Sequence, residues 1–300
     1  MAVIITQLFN GISLGSILLL IALGLAITFG LMNVINMAHG EFIMAGAYTT
    51  YVVQQAFSHY VPASLFNYYY VAAIPLSFLI GALLGFVLEK TLIRFLYHRP
   101  LDSLLATWGV SLILQQVARS IFGAPNVAVT APAWLDGGLT IAGAVLPYKR
   151  LFIIALVTIC MVSLYLYLDK TAAGRKMRAV TMNRSMASSL GVSTKKVDAT
   201  AFAIGSGLAG IAGCALTVLG PIGSTIGTYY IVDAFMIVIL GGIGSLIGTV
   251  FGALSVGMLG TVAEFWSGAS MAKVIVFVAI IAFLQVKPAG LLSARTRSLE

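Results

Sequence analysis

The chain has 300 residues, of which 60% are hydrophobic and only 9% are charged. A soluble domain carries about 25% charged residues, so this chain has too few polar groups to cover a water-exposed surface, and a soluble enzyme is excluded. The net charge of +8 does not indicate nucleic-acid binding, because the basic residues lie between hydrophobic runs instead of forming one stripe. The composition predicts a membrane protein.

Apolar runs follow one another along the chain, and their lengths predict helices that cross a membrane. They lie at about 8–30, 42–57, 69–88, 103–118, 151–168, 199–219, 231–252, 253–265 and 271–286. Because these runs and their connections use the whole length, residues 1–300 are predicted to form a single transmembrane domain. We expect an all-α fold, a polytopic transmembrane helical bundle with about eight or nine membrane segments that include short or broken helices.

The basic residues predict the orientation of this bundle. Thirteen of the 17 lie in three places, namely residues 89–102, residues 169–198 and the tail from residue 287. Short loops rich in Lys and Arg remain in the cytoplasm, so all three are predicted to be cytoplasmic, which places the N-terminus outside and the C-terminus in the cytoplasm. Lys149 and Arg150 fall on the predicted outer side and are exceptions to the rule.

Two apolar runs are short for a plain membrane crossing. Residues 42–57 and 253–265 would measure about 24 and 20 Å as helices, against a hydrocarbon core of about 30 Å. Each follows a stretch that could interrupt a helix, residues 33–41 in the first half and residues 241–245 in the second. Paired interrupted segments are typical of a transport path, because bare backbone at membrane depth is tolerated only inside protein or beside water. The alternative is plain close packing of helices by glycine.

Polar and small residues in these interruptions are the candidates for lining a translocation path. They are Asn33, Asn36, His39, Glu41, Gly241, Gly242 and Ser245. An ionisable group at membrane depth is costly unless it is paired or hydrated, so the alternative for His39 and Glu41 is a short cytoplasmic turn in which both are solvated. One His and one Glu cannot complete a metal coordination shell, and no Ser nucleophile lies beside a His and an acid. We expect no catalytic residue, no metal and no cofactor.

Residues 205–210 match the G-x-G-x-x-G pattern of dinucleotide-binding proteins. That pattern works only where a strand, a tight turn and a helix N-terminus meet a pyrophosphate. No such context exists in this apolar run, so these glycines are predicted to let two membrane helices approach closely.

The segment 169–198 is the longest predicted cytoplasmic connection. Within it, Met182, Met186 and Leu190 recur at i, i+4 and i+8 before Gly191, which predicts a short amphipathic helix with a glycine stop. Methionine adapts to a partner surface, so we expect this helix to enter a groove of a partner protein. The alternative is a helix that lies on the membrane surface, attracted to anionic lipid by its basic neighbours.

With these residues considered, the sequence resembles a known family, the permease subunits of ABC importers for branched-chain amino acids, urea and related solutes. The resemblance covers nearly the whole chain. It rests on FNGISLGSILLLIALGLAITFGLMNVINMAHGEFIMAGAY (9–48), RAVTMNRSMASSLGVSTKKVDATAFAIGSGLAGIAG (178–213), ILGGIGSLIGT (239–249) and KPAGLL (287–292). Among the branches of this family, these sequence segments are most similar to the B subunit of urea-type permeases, and the branched-chain amino acid permeases come second.

The resemblance implies a multi-pass permease domain in a bacterial inner membrane. Its implied partners are a second homologous permease subunit, two cytoplasmic ABC ATPase subunits, a periplasmic solute-binding protein and a small neutral or zwitterionic solute. It also implies that 178–191 is the coupling helix that fits the ATPase, with the contact made by Met182, Asn183, Met186, Ala187, Leu190 and Gly191. The chain has no G-x-x-x-x-G-K-[ST] loop, so ATP is expected to be hydrolysed by the partner subunits.

The mechanism implied by the resemblance is alternating access, in which closure of the ATPases moves the coupling helices as levers. A neutral solute such as urea needs no counter-charge, whereas a zwitterion favours fixed charges or helix termini. The scarcity of buried charge therefore favours urea, with a branched-chain amino acid or another small amide as the alternative. A stand-alone channel, a secondary carrier and an intramembrane lipid enzyme are the rival classes of protein.

Overall fold

The computed structural model describes residues 2–32, 34–97, 99–141 and 143–292. The helices are α1 (Ala2–Met32), α2 (His39–Tyr60), α3 (Tyr69–Thr91), α4 (Pro100–Phe122), α5 (Tyr148–Lys170), α6 (Ala172–Met182), α7 (Arg184–Ser189), α8 (Thr194–Leu216), α9 (Ile226–Gly241), α10 (Leu246–Ser267) and α11 (Ala269–Val286). Short 3₁₀ turns lie at Ala63–Tyr68, Ile93–Phe95 and Ala133–Leu135.

Among the described residues, six helices are long and apolar enough to cross a membrane, namely α1, α3, α5, α8, α10 and α11. Of the other long helices, α9 is shorter, with 16 residues, and α2 and α4 carry more polar side chains. The predicted polytopic helical bundle is confirmed. A small antiparallel hairpin was not predicted; its strands β1 (Gly138–Ile141) and β2 (Ala144–Pro147) pair Gly138 with Pro147 and Ile141 with Ala144, between α4 and α5.

The centre of the bundle is formed by α1 and α8. Within their apolar stretches 78% and 83% of residues are buried, against 17% in α11. The two helices cross where glycine faces glycine, because a Cβ at Gly205 would lie 2.5 Å from the Gly24 carbonyl oxygen. The 205–210 pattern is therefore a helix-packing feature, as predicted.

The predicted short segments are wrong in their positions. The run 42–57 belongs to the 22-residue helix α2, about 33 Å long, and the run 253–265 belongs to the 22-residue helix α10. The predicted interruption at 241–245 does exist, and it makes α9 the short helix. Hydropathy does not reveal this interruption, because it comes from backbone conformation. Gly242 has a φ of +99°, which ends α9. The Ser245 hydroxyl accepts the Gly248 N–H at 3.1 Å, which begins α10.

Segments rich in basic residues gather at one end of the bundle, around the last turn of α1. The Tyr97 hydroxyl, in the connection between α3 and α4, lies 3.8 Å from the sulfur of Met32. The turn before α10 is at the same end, since a Cβ at Gly30 would lie 2.9 Å from the Gly244 Cα. The start of the tail lies at this end too, because the Leu292 N–H donates to the Gly241 carbonyl oxygen at 3.2 Å.

Candidate functional site

The connection between α1 and α2 folds back into the bundle. The Asn36 side-chain oxygen accepts the Ala38 N–H at 3.0 Å, which starts the turn into α2. The Nε2 atom of His39 lies 3.2 Å from the Ile21 carbonyl oxygen, and because a carbonyl can only accept, Nε2 carries the hydrogen. Ile21 is 11 residues before the end of α1, about 16 Å along the helix, so α2 begins beside the middle of α1.

A polar stripe on α4 faces this connection. Its members recur every four residues and are Ser103, Thr107, Ser111, Gln115 and Arg119. The Thr107 hydroxyl accepts the Met37 N–H at 3.0 Å. The Ser111 hydroxyl and the Gln115 amide each donate to Glu41 Oε1 at 2.8 Å. The stripe therefore holds both the backbone of the connection and the carboxylate that follows it.

The same stripe continues to the start of α9. The Gln115 amide lies 3.2 Å from the Thr228 hydroxyl, and the Arg119 Nε donates to the Ser224 hydroxyl at 2.9 Å. Sequence reasoning missed this stripe, although the recurrence of polar residues at i+4 on an otherwise apolar helix was a readable signal.

His39 and Glu41 are buried, with 0% and 1% of their surfaces exposed, so the alternative of a solvated cytoplasmic turn is wrong. Within the described ranges, Glu41 Oε2, His39 Nδ1 and Asn36 Nδ2 are buried without a hydrogen-bond partner. A buried polar group without a partner costs about 1–3 kcal/mol. These three residues lie in the connection before α2 and in its first turn, and we call them the Glu41 cluster. Incomplete buried groups of this kind are expected where a ligand or water completes the bonding.

The other predicted path residues lie elsewhere. Gly241, Gly242 and Ser245 form the turn between α9 and α10, whose Gly244 approaches α1 at Gly30 and not at Ile21. These two positions are about 13 Å apart along α1, so the structure does not bring the two predicted groups together. Asn33 lies outside the described residues.

The segment 169–198 contains two helices instead of one. Asn183 is extended, with a φ of −155°, and its side chain accepts the Met186 N–H at 2.9 Å. Asn183 therefore caps α7, and the single helix predicted through 178–191 is wrong because this cap ends α6 at Met182. The glycine stop is confirmed, since Gly191 has a φ of +82° and the Val192 N–H donates to the Ala187 carbonyl at 3.0 Å.

Three apolar side chains, at the end of α6, in α7 and just after α7, point away from the bundle. Met182, Met186 and Leu190 are 82%, 63% and 79% exposed, and we call them the Met182–Leu190 face. Ala187, about 100° around α7 from Met186, is buried in the main hydrophobic core. The structure thus gives Ala187 a packing contact within this chain and leaves the other three free on its surface.

An ion pair joins α7 to the central helix. Both terminal nitrogens of Arg184 donate to the Asp198 carboxylate, whose side chain is fully buried near the start of α8. This bond raises the pKa of Arg184 above its usual value. The guanidinium also lies over the Tyr97 ring, and the Tyr97 hydroxyl donates to Glu89 at 2.9 Å. Burial raises the pKa of Tyr97, so the phenol remains a neutral donor.

The sequence of this chain matches the family described as branched-chain amino acid transport system / permease component over residues 7–284. Similar proteins include the LivH permease of the high-affinity branched-chain amino acid transport system of Escherichia coli K12, which is 30% identical over 291 residues, 95% of this chain and 94% of that protein. The corresponding LivH of Salmonella typhimurium has the same figures. The BraD permease of Pseudomonas aeruginosa is 28% identical over 293 residues, 95% of this chain and 94% of that protein.

No solved structure gave a significant match to this chain. None of the three relatives above is named for urea, so the comparisons do not support the urea-type assignment and favour the second of the two solutes considered from the sequence. The helical bundle is the fold expected of a permease, and the family match covers most of its length. The chain therefore belongs to the branched-chain amino acid transport permease family.

Proposed function

We propose that this chain is the membrane subunit of an ATP-binding-cassette importer for branched-chain amino acids. The family match and the names of the relatives support the solute class. Urea is the comparison solute, because the sequence motifs and the scarcity of charged residues favour it. Uptake of labelled leucine and of labelled urea by the reconstituted complex decides between them, and the proposal expects leucine uptake that depends on ATP.

The proposed assembly has a second permease subunit, two ATPase subunits in the cytoplasm and a solute-binding protein outside. The gathering of Lys and Arg at one end of the bundle supports a cytoplasmic position for that end. The N-terminus of α1 is then outside and the tail after α11 is in the cytoplasm.

The Met182–Leu190 face is the observation that carries the proposed coupling role. Exposed apolar side chains grouped outside the membrane spans mark an interaction surface. A helix that adsorbs to lipid needs a long continuous apolar face, whereas α7 has only six residues and is separated from α6 by the cap at Asn183. A short, bent apolar face suits a groove of the ATPase subunit better than a bilayer surface.

A mechanical connection leads from this face to the Glu41 cluster. The Arg184–Asp198 ion pair fixes α7 to α8, and α8 contacts α1, α2 and α3. On α8, the ring of Phe202 meets the ring of Phe42 edge-on at 6.3 Å, and Phe42 follows Glu41 in α2. A displacement of α7 by the ATPase would therefore move the helices that surround the buried carboxylate.

Met186→Asp tests the coupling role. The new carboxylate would have to enter an apolar groove without a partner, which is strongly unfavourable, so we expect ATP-driven uptake to fall by at least about tenfold while the protein keeps its thermal stability. Ser188→Asp is the matched control, because Ser188 lies about 200° around α7 from Met186 and is also exposed. Equal uptake by Met186→Asp and Ser188→Asp would contradict the docking assignment.

A further inference from the structure

A cavity of about 290 Å³ lies between the N-terminal parts of α1 and α5 and the C-terminal part of α10. Its volume is close to the lower limit of about 300 Å³ for small-molecule sites. Two of its lining residues carry opposite charges, Arg150 from α5 and Glu264 from α10. Neither residue belongs to the Glu41 cluster or to the Met182–Leu190 face.

The two charges face the same cavity without forming an ion pair. Among the described residues, the ion pairs within 4 Å do not include Arg150 or Glu264. The neighbouring Lys149 behaves differently, since its amine reaches the Asp136 carboxylate at 3.8 Å. Opposite charges that share a cavity but stay apart leave room between them for a ligand that carries both charges.

The remaining lining suits a small molecule with a polar head and an apolar body. Gln7, Asn10 and Thr261 offer hydrogen-bond donors and acceptors, and Phe265 supplies an apolar wall. A guanidinium matches the planar geometry of a carboxylate or phosphate, and a carboxylate accepts from an ammonium group.

We propose that this cavity binds a small zwitterion, with the anionic group of the ligand on Arg150 and its ammonium group on Glu264. Two sources offer this chemistry, a free aliphatic amino acid and the headgroup of an ethanolamine phospholipid. The amino acid source rests on the proposed function, and in the proposed orientation the cavity is at the outer end, where solute would arrive. The site also accounts for a basic residue at position 150, on the side where the charge rule expects few.

The test uses the permease assembled with its partner subunits in nanodiscs of phosphatidylglycerol, which has no ammonium group. Equilibrium binding is measured for leucine, 3-methylbutylamine, 4-methylpentanoate and O-phosphoethanolamine. Arg150→Gln should weaken leucine and 4-methylpentanoate at least tenfold and spare the amine. Glu264→Gln should weaken leucine and the amine and spare 4-methylpentanoate. Lys149→Gln, the matched control, should bind all four as the wild type does.

Binding of leucine that needs both charges supports the amino acid source, and binding of O-phosphoethanolamine alone supports the lipid source. If no zwitterion binds, or if both cavity variants bind like the wild type, the proposed site is wrong. Uptake of leucine by the wild-type complex, measured in parallel with the binding protein present, judges the proposed function separately. The importer can thus stand when the cavity site fails, and zwitterion binding can stand when leucine is not transported.

Discussion

The Met182–Leu190 face and the Glu41 cluster are opposite mismatches between side chain and surroundings. The first places apolar side chains outside the bundle, with Met182 82% exposed, and the second buries a carboxylate that is only 1% exposed. Each arrangement is unfavourable for the isolated chain. The bundle is thus complete as a fold but carries two incomplete places, which the proposed function assigns to a partner protein and to a transported solute.

The largest expected effect comes from separating the two regions at the Arg184–Asp198 pair. Arg184→Gln leaves the buried Asp198 carboxylate without its cation. Removing one partner of a fully buried ion pair costs about 3–5 kcal/mol, and the cost here is lower because the Arg184 side chain is 35% exposed. We expect a clear loss of thermal stability and of leucine uptake, measured by thermal unfolding and transport assays. Lys195→Gln, an exposed change on α8, the helix that carries Asp198, should alter stability by no more than about 0.5 kcal/mol. Similar melting of both variants would show that the pair does not fix α7 to α8.

A change in the centre of the bundle tests how closely α8 packs against α1. Gly205→Ala places a methyl group 2.5 Å from the Gly24 carbonyl oxygen, and such overpacking costs about 1–3 kcal/mol. The control is Gly109→Ala in α4, where a Cβ meets no atom within 4 Å, and Ala there is expected to be neutral or stabilising by up to about 1 kcal/mol. Thermal unfolding of the two variants in detergent measures the contrast, and equal melting temperatures would count against the close crossing.

Glu41→Gln tests whether the buried Glu41 carboxylate serves transport or only holds the start of α2 in place. The amide oxygen can still accept from Ser111 and Gln115, and the buried charge disappears, so we expect stability to change by less than about 1 kcal/mol. If the carboxylate serves transport, uptake should nevertheless fall about tenfold, which corresponds to about 1.4 kcal/mol. Uptake at the wild-type rate would show that the carboxylate serves only the start of α2.

The smallest effect is expected at the cap of α7. Asn183→Ala removes the side chain that accepts the Met186 N–H, which costs about 1 kcal/mol of helix stability. We expect faster amide exchange in residues 184–189 and a two- to threefold loss of uptake, while exchange in α8 stays the same. Unchanged exchange in α7 would mean that other contacts order this helix.

Sequence reasoning succeeded where periodicity and charge decide the structure. The apolar runs predicted the bundle, and the spacing of Met182, Met186 and Leu190 predicted an exposed apolar face before the stop at Gly191. It failed at Asn183, where a favoured capping residue interrupts a pattern that hydropathy reads as continuous. At residues 241–245 the glycines predicted the interruption and hydropathy alone did not, because glycines end a helix through their backbone angles without lowering its hydropathy.

Long-range arrangements were beyond the reach of local patterns. The sequence singled out His39 and Glu41, yet their burial depends on α4, whose Ser111 is 70 residues away from Glu41. Arg150 looked like an exception to a topology rule, and only the fold shows that it shares a cavity with Glu264 on α10. Such pairs follow from helix packing, which a single sequence does not encode in a local pattern.

Cross-linking from Met186 tests the central claim most directly. In a background with Cys160→Ala and Cys214→Ala, a Met186→Cys variant is assembled with its partner subunits in inverted and right-side-out membrane vesicles. It is then labelled with a short thiol-reactive photo-cross-linker, whose light-activated end inserts into any neighbouring molecule. The account predicts a covalent product between this position and an ATPase subunit, and labelling by a membrane-impermeant reagent only in inverted vesicles. Labelling from the outer side, or attachment to lipid alone in the assembled complex, would contradict it.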